Sequence, residues 1–280
     1  MILGYNSNGF AHHRLDDAVA ILHELGYRGL ALTLDVHHLD PFQPAWREQI
    51  HAFAERHAQL GFQYVIETGA RYLLDSRKKH QPTLLAENPD QVQIRREFLI
   101  RCLEVAEILD AGTVSLWSGA APVGQDPRQS WQQLVDELRR LSDLAADHGQ
   151  RLGFEPEPGM FIDTMDKFAE LFARVDHPCF GLTLDVGHLV CQGEVPIGAQ
   201  ILRWRGCLWN LHLDDMRAGV HDHLAFGEGE VDFADLFTTL GEINYAGMAS
   251  VELSRHSHDA VATAAKSRDF LRPYFPAQFA

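Results

Sequence analysis

At 280 residues with 46% apolar side chains, the chain is long enough to bury one large core. Its 39 acidic against 24 basic residues leave a net charge of −15, which repels a phosphate backbone and counts against nucleic acid as a partner. Four cysteines (Cys102, Cys179, Cys191, Cys207) at no redox or metal-ligand spacing, no basic-then-apolar leader, and no run near the ~18 apolar residues of a membrane span lead to the expectation of a soluble, cytoplasmic protein with reduced thiols.

Apolar runs then alternate with amphipathic segments. Ile2–Tyr5 reads as a strand, and Asp16–Leu25 places Ala18, Ile21, Leu22 and Leu25 on one helical face before Gly26 ends it. Gly29–Leu34 is the second strand, Ala45–Leu60 a helix stopped by Gly61, and Phe62–Ile66 the third strand. Further strands are expected at Thr113–Trp117, Leu152–Phe154, Phe180–Leu184, Leu208–Leu213 and Met248–Leu253. Helices are expected near Gln91–Leu109, Gln129–His148, Met165–Arg174, Gly198–Trp204, Phe233–Glu242 and Asp259–Leu271. Eight strand–helix pairs, with no Pro/Ser-rich linker and no shift of composition, predict an α/β fold: one (β/α)8 TIM barrel domain over residues 1–280. An open doubly wound sheet is the alternative, and the lack of a G-x-G-x-x-G after the first strand or of a P-loop counts against it.

In such a barrel the active site lies at the C-terminal ends of the strands. Strand five ends in FEPEPG, with Glu155 the first polar residue after the apolar run and Glu157 two further on. Strand six runs FGLTLDVGH and delivers Asp185 and His188 at D-x-x-H spacing. On strand seven His212 alternates with Leu211 and Leu213, and so faces the interior if the leucines face the helices; Glu252 sits similarly between Val251 and Leu253. Each has a structural alternative: Asp185 as a helix cap, His188 as a satisfied core histidine. Four adjacent strands ending in isolated carboxylates and an imidazole are costly to bury unless a divalent cation offsets the charge. Three oxygen donors and one imidazole suit Mn²⁺ or Mg²⁺, with Co²⁺ or Zn²⁺ as alternatives.

These residues carry a resemblance to the xylose isomerase-like barrel superfamily of sugar and sugar-phosphate isomerases, ketose 3-epimerases, inosose dehydratases and endonuclease IV repair enzymes. The matching stretches are E-x-x-x-G at Glu155–Gly159, D-x-x-H at Asp185–His188, H-L-x-D at His212–Asp215, G-x-G at Gly227–Gly229 after His223, and Glu252 on strand eight. The resemblance implies that Glu155, Asp185, His212 and Glu252 bind the metal, that Glu155 and Glu252 are the catalytic carboxylates, and that His188 lies near substrate. It departs from the repair enzymes, which place histidines where this chain has Glu67 and Trp117, and whose D-x-H after strand seven is replaced by His221-Asp222-His223. A three-metal DNA site is therefore incomplete here.

Other substrate-facing candidates are Glu67, Trp117, Glu157, Arg217 and His223, with Tyr5, Asn6, His12, Asp35 and His38 on the rim. Arg71, Arg77, Lys78 and Lys79 form the one basic cluster and, by topology, could hold a phosphate or carboxylate; a solvated loop is the alternative. His188, His221 and His223 together could take a second metal. The expected activity is a metal-dependent isomerase or epimerase of a small sugar, sugar phosphate or polyol-derived ketone, in which Glu155 and Glu252 move a proton through a metal-stabilised enediolate. A dehydratase using the same enolate is the runner-up, ahead of a non-catalytic metabolite-binding barrel and a repair endonuclease. Expected partners are a small-molecule substrate and neither nucleic acid nor membrane, with homo-oligomerisation left open.

Overall fold

A computed structural model describes residues 1–279. Eight parallel strands close into a barrel: β1 (Ile2–Asn6), β2 (Gly29–Thr33), β3 (Gln63–Glu67), β4 (Thr113–Leu116), β5 (Arg151–Phe154), β6 (Phe180–Asp185), β7 (Leu208–Leu213) and β10 (Met248–Val251), with β10 pairing with β1 to complete the ring. Between β7 and β10 the chain inserts an antiparallel hairpin, β8 (Asp215–Arg217) and β9 (Val220–Leu224). The helices α1 (Leu15–Glu24), α2 (Trp46–His57), α3 (Pro89–Ile108), α4 (Pro127–Asp147), α5 (Met165–Val175), α6 (Val186–Gln192), α7 (Ile197–Trp204), α8 (Phe233–Glu242) and α9 (Ala260–Leu271) follow the strands.

Local chemistry sets the helix boundaries. The Asn88, Asp126 and Thr164 side chains accept from backbone N–H groups of the first turns of α3, α4 and α5, and prolines occupy the starts of α3 and α4. Each of α1, α4, α5, α7 and α8 buries an apolar face against the barrel. The fold agrees with the sequence reading except between β6 and β10, where α6 and the hairpin were not foreseen. The Val186–Cys191 stretch is wholly buried, so it shows no amphipathic period to read as a helix.

Strand alternation builds two layers of core. Phe154 and Phe180 pack outward on Phe168 of α5, so on β6 the opposite face, Gly181, Thr183 and Asp185, points inward. The lower interior is filled by Met248: a Cβ at Gly4 or Gly29 would lie 2.8 or 2.9 Å from its side chain. Above it, a Cβ on Gly153 would lie 2.4 Å from Thr183 Oγ1. The last inward positions of the strands, or the residues just after them, bring Asn6, Thr33, Glu67, Glu155, Asp185, His212 and Glu252 to one end of the barrel.

Candidate functional site

His212 is the hub of that end. It is 1% exposed, and its Nδ1 lies 3.0 Å from Glu155 Oε1, 2.8 Å from Glu252 Oε2 and 4.0 Å from Asp185 Oδ2. One donor atom from each of Glu155, Asp185, His212 and Glu252 falls within 4.8 Å of all the others. On the far side of the ring, Nε2 lies 2.9 Å from Glu67 Oε1, which also accepts from Asn210 Nδ2 at 3.1 Å. A carboxylate there accepts a hydrogen bond from Nε2–H and turns Nδ1 toward the other three acids, the arrangement that fixes the tautomer of a metal-binding histidine.

The oxygens of Asp185 divide their work. Oδ1 accepts from His188 N at 2.9 Å and caps α6, whereas Oδ2 is buried with no hydrogen-bond partner. Capping and ligation are thus not alternatives at Asp185, because a carboxylate has an oxygen for each. A buried, unpaired carboxylate oxygen facing two further carboxylates and an imidazole is costly unless a cation is shared among them. The donor set therefore fits a divalent metal ion, with three oxygens and one nitrogen.

Electrostatics separate the two glutamates. Burial pushes Glu155 up to about 8, although His212 pulls the other way. Burial acts on Glu252 in the same sense, but His212, His223 and the Asn8 amide outweigh it and hold its carboxyl well below the usual range. The neighbouring carboxylates keep His212 protonated well above the ordinary imidazole range, against the opposing effect of burial. Burial, with Glu252 adding to it, pushes Glu157 up to about 7.

A second imidazole cluster adjoins the first. His188 Nδ1–H donates to the Pro156 carbonyl at 3.1 Å, and its Nε2 is 3.1 Å from His221 Nε2. Burial lowers His188 to about 4. Ligand atoms of His188, His221 and His223 lie within 4.8 Å of one another, as do those of Asp185, Asp214 and His223. His223 Nδ1 is 2.7 Å from Asp214 Oδ2, and that contact raises the imidazole against the effect of burial.

Both clusters open into one cleft of about 790 Å³, lined by Glu67, Glu155, Glu157, Glu252, His188, His221, His223, Trp117, Arg71 and Lys79 among others. That volume is in the range of small-molecule sites. Several expectations need correction. Arg217 lies outside the cleft lining: exposed on β8, its guanidinium donates to the Glu228 carbonyl at 2.9 and 3.2 Å. Tyr5 points to the helix side of β1, where it packs edge-on against Phe10 and Tyr27. Of the basic cluster only Arg71 and Lys79 line the cleft, and Arg71 is engaged by Asp35 at 3.7 Å and by the Asn8 carbonyl at 2.6 Å. Asn6, His12 and Asp35 line the cleft; His38 sits in a small side cavity and is buried. Asn8 and Asn210 were missed, because an asparagine in a short apolar or glycine-rich stretch carries no signal of the acid it will meet.

The profile of the xylose isomerase-like TIM barrel family matches residues 19–274. The chain belongs to that family. The L-ribulose-5-phosphate 3-epimerase UlaE of Salmonella typhi is 24% identical to this barrel over 210 residues, 74% of each chain. The inosose dehydratase of Clostridium beijerinckii is 31% identical over 141 residues, 44% of this chain and 47% of that one, so about half of the dehydratase is matched. Among solved structures, a D-tagatose 3-epimerase-like protein superposes with a TM-score of 0.82 at 19% identity, covering 100% of this chain and 98% of that one. The IOLI protein, whose structure has a bound zinc atom, superposes with a TM-score of 0.77 at 18% identity, covering 98% and 99%. Relatives of this xylose isomerase-like barrel are thus sugar epimerases and dehydratases, and its acid–imidazole cluster is suited to a divalent metal.

Proposed function

We propose that this barrel is a divalent-metal-dependent isomerase or epimerase of a small sugar, sugar phosphate or polyol-derived ketone. The observation that carries the reading is the convergence of Glu155 and Glu252, from strands three apart on the ring and both lining the polar cleft, on one nitrogen of His212. Glu155, Asp185, His212 and Glu252 would hold the metal, with Mn²⁺ or Mg²⁺ favoured by the oxygen-rich donors. When bound, the ion supplies Lewis acidity to a substrate carbonyl and its neighbouring hydroxyl. Glu252, held ionised, takes the proton from the carbon between them. Glu155, on the other side, passes back a proton drawn from solvent, which inverts that carbon; return to the adjacent carbon isomerises the sugar instead. Glu67 keeps the His212 ring fixed while this happens, and His188, Glu157, His223 and Trp117 offer polar and aromatic contacts to the rest of the substrate.

Glu155→Gln and Glu252→Gln test the roles directly. Each keeps shape and an oxygen donor, so metal content should largely persist while turnover falls by roughly 10²–10⁴. In heavy water the wild type should wash deuterium into the substrate at the acidified carbon. Hydrogen moving intact between carbons, with no wash-in under any condition, would reject the two-glutamate transfer in favour of a hydride shift. The match to inosose dehydratases favours one second reading, expulsion of a β-hydroxyl from the same enolate, and an unsaturated product would identify it.

A further inference from the structure

We propose that Asn8, in the turn after β1, is a positioning residue for Glu252. The inference rests on the reading of Glu252 as metal donor and base. Glu252 follows the end of β10, with its carboxylate on a flexible stem, and its two oxygens do different things. Oε2 lies 2.8 Å from His212 Nδ1, among the metal donors, while Oε1 accepts from Asn8 Nδ2 at 2.8 Å. The Asn8 bond therefore sets the rotation of the carboxylate, keeping one oxygen on the donor cluster and preventing the pivot that would turn both away from it. A carboxylate only accepts, so the amide of Asn8 must present its NH₂ to Glu252 and its oxygen to the other side.

That Asn8 oxygen is buried and has no hydrogen-bond partner, while Asn8 itself lines the cleft. The turn is braced from three strands. Asn8 N donates to Asn6 Oδ1 at 3.0 Å, and the same oxygen accepts from Thr33 Oγ1 of β2 at 2.7 Å. Ser7 Oγ accepts from Thr33 N at 2.9 Å, and Arg71, from the segment after β3, donates to the Asn8 carbonyl at 2.6 Å. Arg71 thereby has a role that needs no anionic substrate: it holds the backbone of the residue that holds the base.

The test is Mn²⁺ titration by calorimetry on the wild type, Asn8→Ala and Asn8→Leu, with thermal midpoints measured alongside. Leu keeps the branched outline of Asn and removes the donor. Both variants should stay folded and bind Mn²⁺ about 10–100-fold more weakly, the usual cost of losing a partner that orients a ligand. Asn8→Ser, compatible with the turn and too short to reach Glu252, replaces Leu if that variant does not fold. Wild-type Mn²⁺ affinity in a folded Asn8→Leu or Asn8→Ser variant overturns the positioning role and leaves the reading of the site intact. A wild type that binds no Mn²⁺, while Glu155→Gln and Glu252→Gln behave like it, overturns the site reading and this inference with it.

Discussion

Single atoms decide the site. Asp185 and Glu252 each use one oxygen to accept a protein hydrogen bond, from His188 N and from Asn8 Nδ2, and turn the other toward His212. Metal uptake by such a set requires that protons leave. Glu155, pushed up to about 8, and His212, raised above its ordinary range, both carry protons at neutral pH, and the metal needs both deprotonated. The sign follows: apparent Mn²⁺ affinity should rise with pH through about 8, with net proton release on binding. Calorimetry in buffers of different ionisation enthalpy reads the number of protons released. An affinity that stays flat from about pH 6 to about pH 9 would contradict this assignment of proton states.

The hairpin β8–β9 shows how an element too short to be seen in the sequence places side chains. It carries His221 and His223 over the cleft, and it is held by Asp215, whose carboxylate accepts from the backbone N–H groups of Met216, Gly227, Gly229 and Val231. The G-x-G that resembled a family motif is therefore a cradle for one buried carboxylate. Gly227 has φ +87°, and a Cβ at Gly229 would lie 2.3 Å from Asp215 Oδ1 and 2.5 Å from the Met216 nitrogen. Gly229→Ala should cost about 1–3 kcal/mol, since backbone and a fixed acid must both move. Thermal unfolding and turnover would both report it: a lower midpoint together with weakened substrate binding, because the displaced hairpin carries the cleft histidines with it. An unaltered midpoint would show that the cradle is looser than its distances.

On the scale of the whole barrel, the first strand and Gln278 are linked. Gln278 accepts from Leu3 N at 2.9 Å and donates to the Leu3 carbonyl at 3.1 Å and the Gly26 carbonyl at 2.9 Å, tying the C-terminal segment to β1 and to the end of α1. Gln278→Ala removes three bonds worth about 1 kcal/mol each and leaves backbone groups of β1 to find water. The thermal midpoint should drop by several degrees, while the acid–imidazole cluster, at the opposite end of the strands, keeps whatever Mn²⁺ affinity the wild type shows. Loss of Mn²⁺ binding in that variant, at a temperature where it is folded, would mean that the two ends of the barrel are not independent.

Alternation and strand ends made most of this legible without a structure. An inward Thr183 between outward Leu182 and Leu184 places Asp185 inside, and the same two-residue period places His212 and Glu252, because side-chain direction along a strand is local information. Which atom meets which was not local. Glu67 and His212 are 145 residues apart, and Asn8 and Glu252 are 244 apart; they meet only because eight strands close in one register. Closure also decided that Arg71 braces a turn and that Arg217 binds a carbonyl outside the cleft, since a long side chain takes whatever partner the finished surface offers. Local pattern determined the set of residues facing the site; ring closure decided their pairing, and pairing assigns each acid its proton and each oxygen its partner.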